Sequence, residues 1–278
     1  MKHYFCALIM LFQVNGQGQE AASHEPTNAA EAAAKDKKAT QNKIIAEKYQ
    51  ALVSKLPAEE QAWEHVLEAN LGGFYFPAHQ ADKIAGKSNA WDFVKDDPKL
   101  PRVLLIGDSI SRGYTLAARK ALAGKVNLHR APANCGPTAT GLKQLDVWLG
   151  DQKWDIIHFN FGIHDRKTPL KEYEERLEKI IVKLKPTGAK LIWASSTPIP
   201  EDASNYQPAS AILERNKLAA GIMTKNNILI DDLFSTIQPH FKENIRPKDV
   251  HFTEAGYNIL GIQVAKSIND SLDMRKNR

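Results

Sequence analysis

What most constrains this chain is an alternation that begins after Pro101, in which short apolar runs are each followed by a segment of helical spacing. Arg102–Ile106 (R-V-L-L-I), Val126–His129, Trp154–Phe159 (W-D-I-I-H-F), Leu191–Ala194 and Ile228–Ile230 read as strands. Runs this short, apolar throughout rather than at every second residue, suit strands buried on both faces. Between and after them, Ser111–Ala123, Thr138–Leu149, Leu170–Leu184, Ala209–Lys225, Asp232–Phe241 and Thr253–Ile268 read as helices. Leu170–Leu184 has the clearest signals, with Glu-to-Lys spacing on its polar face and Gly188 just past its end. Strand and helix in alternation imply an α/β chain, a three-layer α/β/α sandwich around a parallel sheet of about five strands. Ligands of such sheets lie beyond the carboxyl ends of the strands, so chemistry is sought in the residues directly after each strand.

The first hundred residues have another character. Lys2 and His3 precede an apolar run, Tyr4–Val14, and then small and polar residues from Asn15 to Gly18. Residues 1–18 therefore read as a secretory signal peptide, with a secreted or periplasmic destination. The run is too short to span a bilayer, so no stable membrane insertion is expected. Cys6 comes too early in the run for a lipoprotein site, and signal removal leaves Cys135 as the one cysteine, without an intrachain disulfide partner. Residues 19–43, rich in Ala, Glu, Lys, Thr and Asn without apolar periodicity, read as a low-complexity tether. From Ile44 to about Leu71 apolar residues recur at helical spacing, and Pro57 divides the stretch into two helices. Gly72–Pro101, with Phe74, Tyr75, Phe76, Trp91 and Phe93, reads as an irregular aromatic segment. Residues 44–100 are thus expected as a helical and irregular extension packed on a main domain of residues 101–278. The net charge of +5 is spread along the chain, and no basic stripe is interleaved with aromatics, which argues against a nucleic-acid partner.

Four loops at the expected sheet edge carry candidate chemistry. After the first strand comes Gly107-Asp108-Ser109-Ile110-Ser111. A serine there stands on a tight strand-to-helix turn, its N–H at a helix N-terminus that favours an oxyanion. Equally, Asp108 and Ser109 could do no more than cap that helix. After the second strand, Gly136 can let the backbone approach a ligand and present an N–H, or serve as a turn glycine. After the third come Asn160 and Gly162-Ile163-His164-Asp165, where a third donor or a substrate contact would sit; otherwise His164 is a surface histidine and Asp165 a cap. Before the last helix stands His251, with Asp249 the local carboxylate to fix its tautomer. No HExxH and no Cys/His set at ligand spacing occurs, so neither metal nor cofactor is expected.

In this order the blocks resemble the SGNH/GDSL hydrolase superfamily over roughly residues 102–270. The strings L-L-I-G-D-S-I-S, H-F-N-F-G-I-H-D and D-V-H-F-T-E-A-G-Y also resemble a bacterial branch of exported proteins associated with carbohydrates. The resemblance implies the flavodoxin-like fold of that superfamily and ester hydrolysis through an acyl-enzyme. It implies Ser109 as nucleophile, His251 as base, and the N–H groups of Ser109 and Gly136 as oxyanion donors. Two departures stand out. The family's Gly-x-Asn-Asp has His164 in place of Asn, so the side-chain donor is His164, which occupies the matching position, or Asn160. The family's aspartate three residues before the histidine is Lys248 here, so Asp249, a backbone carbonyl or a remote carboxylate orients the base. The implied substrate is a small-molecule or polysaccharide ester, above all a carbohydrate O-acetyl group. A lipid esterase or thioesterase on the same site, or a non-catalytic carbohydrate-binding protein, are the alternatives. Asp108, Arg112 and Tyr114 are the candidate substrate contacts. Arg130 lies near the same edge, although both arginines also read as plain surface charges. Trp91, Trp148, Trp154 and Trp193 read as core, and the aromatic segment from Gly72 as packing or as a roof over the pocket.

Overall fold

A computed structural model describes residues 28–203 and 208–276; the expected signal peptide lies outside them. The chain divides into two compact units, residues 1–43 and 44–278. Helix α1 (Asn28–Val53) starts in the first. The stretch read as a tether is therefore helical from Asn28. Its Ala, Lys and Glu are strong helix formers even where no apolar stripe demands a helix.

In the second unit α2 (Ala58–Asn70) and α3 (Gly72–Ile84) precede the alternating region. There β1 (Arg102–Ile106), α4 (Ser109–Ala121), β2 (Asn127–Arg130), α5 (Thr138–Leu149), β3 (Ile156–Phe159) and α6 (Leu170–Leu184) follow one another. Next come β4 (Lys190–Ala194), α7 (Ser210–Lys225), β5 (Leu229–Asp231), the short α8 (Leu233–Ile237) and α9 (Phe241–Asn244), and α10 (Glu254–Lys276). All five strands are parallel in the order β2-β1-β3-β4-β5. The order reverses between β1 and β3, which opens a crevice at their carboxyl ends.

Alternate residues of the buried strands feed two cores, one on each face of the sheet. Val103, Leu105, Ile156 and Ile192 pack with Tyr114 and Ala118 of α4 and with Leu260, Val264 and Ile268 of α10. Leu104, Ile106, Ile157 and Trp193 pack with Trp148 of α5, with Leu177 and Ile180 of α6, and with Ile222 and Met223 of α7. Helices α4 and α10 approach closely at Gly261, where an added Cβ would lie 2.9 Å from the backbone of α4.

The segment Gly72–Ile84, expected to be irregular, is helical despite Gly72, Gly73 and an internal Pro77. Tertiary packing overrides the breakers: Tyr75 and Phe76 lie against the buried Leu67, Leu71 and Trp91. Its far side enters a buried polar knot. The Glu64 carboxylate of α2 accepts Tyr49 Oη (2.6 Å) and contacts His79 Nε2 (2.6 Å) and Lys83 Nζ (2.8 Å). Burial raises the Glu64 pKa, but these partners outweigh it and hold it at about 2. The extension is also tied to the sheet. Asp96 pairs with Arg102 (2.7 Å) and His129 (2.6 Å), and Asn127 exchanges hydrogen bonds with the backbone of Asp97.

Two boundaries differ from expectation near the C-terminus. Residues 232–241 do not form one helix; a 3-10 turn, Gln238–His240, separates α8 from α9 because Pro239 has no N–H to continue the ladder. The last helix runs on to Lys276, with Ser271 still fully buried. Among the described residues no helix is long and apolar enough to cross a membrane.

Candidate active site

Strand β1 delivers the chain to a turn at Gly107 and Asp108, and α4 starts at Ser109, two residues earlier than the pattern suggests. Asp108 is the reason: its Oδ1 accepts the N–H of Ile110 at 2.9 Å and caps the helix. Ser109 thereby occupies the first helical position, where N–H groups have no intrahelical acceptor and the dipole is positive. The Ser109 hydroxyl lies 2.8 Å from His251 Nε2, and His251 Nδ1 lies 2.7 Å from Asp249 Oδ1. Residues 142 positions apart are thus joined in one hydrogen-bonded line.

The loop bearing His251 makes the short Asp-to-His spacing work. Arg246-Pro247-Lys248-Asp249 forms a turn closed by the Asp249 N–H to the Arg246 carbonyl at 3.2 Å, with Lys248 at φ +54°. Proline at the second position and a positive φ at the third are the pattern of a type II turn. Asp249 then folds back: its Oδ1 also accepts the N–H of Val250 at 2.7 Å. Beyond the histidine, Thr253 N–H meets the Asn244 carbonyl at 2.7 Å, and Arg246 N–H meets the His251 carbonyl at 2.9 Å. Burial raises the Asp249 pKa, but the His251 hydrogen bond and charge and the two backbone N–H groups outweigh it, holding the carboxyl below its usual value.

Gly136 has φ +64° in the loop before α5, a conformation that few other residues adopt. Pro137 cannot cap α5; instead Asp165 reaches across, its carboxylate accepting Thr138 N–H at 2.8 Å and Thr138 Oγ1 at 2.7 Å. Asp165 therefore caps a helix, though not its own, and locks the loop of His164 to that of Gly136. The buried Arg215 holds the other side, donating to the carbonyls of Asp165, Arg166 and Thr168. Gly162 permits the same loop to press on Ser196, whose Oγ would lie 2.1 Å from an added Cβ. His164 is half exposed, with Nε2 3.7 Å from Asp108 Oδ2. Asn160 is engaged elsewhere: its Nδ2 donates to the Ala194 carbonyl (2.8 Å) and Ser196 Oγ (3.2 Å), bracing β3 against the end of β4.

The expected substrate contacts separate. Asp108 is buried and acts as the α4 cap. Tyr114, 1% exposed, belongs to the core, its ring edge-on to buried His158, because the helical repeat turns it toward the sheet. Arg112 is half-buried between Tyr75 and Trp91. Arg130 is no surface charge. At 1% exposed, it donates to the carbonyls of Gly107 (3.0 Å), Asp108 (2.8 Å) and Ala133 (2.6 Å) and to Ser111 Oγ (3.0 Å). It fastens the Ser109 turn to the Gly136 loop, a role missed in the sequence, where the one signal was a charge at the end of a buried strand. Trp148 and Trp193 are core, as expected. Among the described residues no three His, Cys, Asp or Glu side chains gather as a metal site requires. Cys135 is buried and its thiol is pushed up to about 12 by that burial.

The model of the GDSL-like lipase/acylhydrolase family matches residues 105–259. A comparison with curated protein sequences finds no match. Among solved structures the chain is similar to a lipase/acylhydrolase from Enterococcus faecalis, at 22% identity and a TM-score of 0.57, over 62% of this chain and 97% of that one. It is also similar to the acetylxylan esterase Axe2 from Geobacillus stearothermophilus, at 18% identity and a TM-score of 0.53, over 60% and 94%. The acetyl xylan esterase AlAXEase gives 16% identity and a TM-score of 0.53, over 60% and 99%. At these identities the likeness is one of fold. The family match spans more than half of the chain and all four loops of the crevice, and the chain belongs to the GDSL-like lipase/acylhydrolase family.

Proposed function

We propose that this chain is an exported serine esterase acting on carbohydrate O-acetyl groups, with Ser109 as nucleophile, His251 as general base and Asp249 as the group that orients it. The observation that carries the reading is the line Asp249–His251–Ser109, with hydrogen bonds of 2.7 and 2.8 Å at the carboxyl edge of the sheet. Asp249 accepts from Nδ1–H, which leaves Nε2 unprotonated and able to take the Ser109 proton. The oxygen attacks the ester carbonyl, and the N–H groups of Ser109 and Gly136 stabilise the tetrahedral oxyanion, assisted by His164. His251 returns its proton to the departing alcohol, leaving an acyl-enzyme. A water that gives its proton to His251 then attacks, and the acid leaves as Ser109 is reprotonated. His164 rather than Asn160 is the side-chain donor, because the Asn160 amide hydrogens are already committed to Ala194 and Ser196.

Two observations favour a short acyl group on a large alcohol. His251 and Asp249 are about a third exposed at an open edge, which suits a polymer surface. The cavity beside the Ser109 turn is small, lined by Ile110, Ile163 and Leu233 together with the hydroxyls of Ser111, Ser195, Ser196 and Thr197, and so has room for a short acyl group rather than a long one. Export rests on residues 1–18. The test is hydrolysis of para-nitrophenyl acetate, butyrate and octanoate, with acetate release from acetylated polysaccharides. Ser109→Ala is expected to lower kcat by about 10³-fold or more with unchanged thermal unfolding. A variant that keeps most of its activity would remove Ser109 as nucleophile, and a preference for octanoate would favour the lipid esterase.

A further inference from the structure

Helix α4 carries a second group that ester hydrolysis does not use. Arg112 follows Ser109 by three residues, so their side chains share one side of the helix, with Cα atoms about 5 Å apart along it. The Arg112 guanidinium lies 5.4 Å from the ring centre of Tyr75 and 5.9 Å from that of Trp91. Arg102, Arg119, Arg130 and Arg215 all find acceptors. Among the described residues Arg112 finds none for its side chain: no carboxylate lies within ion-pair distance, and its buried Nε donates to nothing. A donor fork held in place by two rings, with its donors unused, is preorganised for a ligand that supplies the acceptors.

The surroundings match an anion on a sugar. Arg130 lies over the same Trp91 ring at 5.2 Å, adding positive charge behind it. On the outer side Tyr75 meets Phe74 edge-on at 4.8 Å, and Phe74 is 81% exposed, an aromatic surface of the kind that packs on a sugar ring.

We propose that Arg112, held by Tyr75 and Trp91 with Phe74 at the rim, binds an anionic group of the substrate, which makes the preferred substrate an acylated acidic glycan. The carboxylate or sulfate sits on the acylated sugar or on its neighbour and accepts from the guanidinium in bidentate fashion. The N-terminal extension then supplies one wall of the substrate site. This rests on the esterase reading for its substrate class, but the binding itself does not.

Two measurements on the full chain test it. In the first, kcat/KM is compared for O-acetylated oligogalacturonate, an O-acetylated sulfated galacto-oligosaccharide and a neutral O-acetylated xylo-oligosaccharide. Wild type is expected to prefer at least one acidic ester by about tenfold or more, chiefly through KM, with the preference falling at high salt. Arg112→Gln brings the ratio toward one, and Arg112→Lys restores part of it. Which acidic ester wins distinguishes carboxylate from sulfate. Equal rates on acidic and neutral esters, or an acidic preference that survives Arg112→Gln, overturn the proposal while leaving the esterase intact. In the second, calorimetry measures binding of trigalacturonate, a sulfated galactotriose and xylotriose to Ser109→Ala with and without Arg112→Gln. Binding of an acidic trisaccharide lost with Arg112→Gln supports the anion site even if no ester is hydrolysed. Absence of any acidic preference in binding overturns it.

Discussion

Lys248 stands where the family pattern has its aspartate, yet His251 Nδ1 still meets a carboxylate, because a left-handed Lys248 turns the following residue inward. The arrangement depends on one dihedral angle. Lys248→Gly, which adopts positive φ freely, is expected to keep full activity, whereas Lys248→Pro, held near φ −65°, swings Asp249 away and loses activity with it. Asp249→Asn keeps the shape but not the charge, and kcat is expected to fall by about 10²–10⁴-fold on para-nitrophenyl acetate. The same carboxyl leaves a mark on stability. Its pKa is lower folded than unfolded, so its contribution is fully present above the unfolded value of about 3.9 and is lost as pH falls through the folded value. The stability difference between wild type and Asp249→Asn should therefore be present at about pH 5 and shrink below about pH 4 in urea titrations. A difference that grows on acidification would contradict the pairing.

Loops that meet at the sheet edge are held by buried groups drawn from other elements. Arg130, at the end of β2, ties the turn between β1 and α4 to the loop before α5. Asp165 ties that loop to the one after β3, and Arg215 of α7 backs it. The distances between Ser109, Gly136 and His164 are therefore set by two guanidinium groups and one carboxylate that are themselves buried. Arg130→Met keeps the apolar stem but removes the guanidinium donor from the carbonyls of Gly107, Asp108, Ala131 and Ala133, the first two of which keep backbone partners. A loss of about 3 kcal/mol in urea unfolding is expected, with a fall in kcat at temperatures where the variant is still folded. Full activity in a destabilised Arg130→Met would mean that the Ser109 turn holds its shape unaided.

As a whole molecule, residues 44–276 behave as a sheet domain with a strap of helices bound to one side. Trp91 is the main fastening, 3% exposed, packed on Leu67 and Leu71 and lying under Arg112 and Arg130. Trp91→Ala is expected to cost about 3–5 kcal/mol and to lower the melting temperature while preserving a single transition in calorimetry. Two separated transitions would show that the extension unfolds on its own and that the strap is an accessory.

The amino-acid order alone determined the layered α/β architecture, most element boundaries and the four loops worth inspecting. Fully buried strands need continuous apolar runs, and parallel strands bring all their carboxyl ends to one edge. Residues 107–111, 136, 160–165 and 249–251 had to converge once the sheet formed. The segment Gly72–Ile84 was illegible because its glycines and proline speak locally for a break, while the aromatic packing that overrules them is long-range. Tyr114 and Arg130 exchanged roles for a similar reason: which side of an element faces the interior depends on what packs there. Only the tertiary structure decided that Asp249 reaches His251, that Asn160 is consumed by the end of β4, and that Arg112 has no acceptor among the described residues. Each of these is a distance of a few ångströms set by a turn or by elements far apart in the chain, and hydrogen bonds act on distance and direction, which residue order does not encode locally.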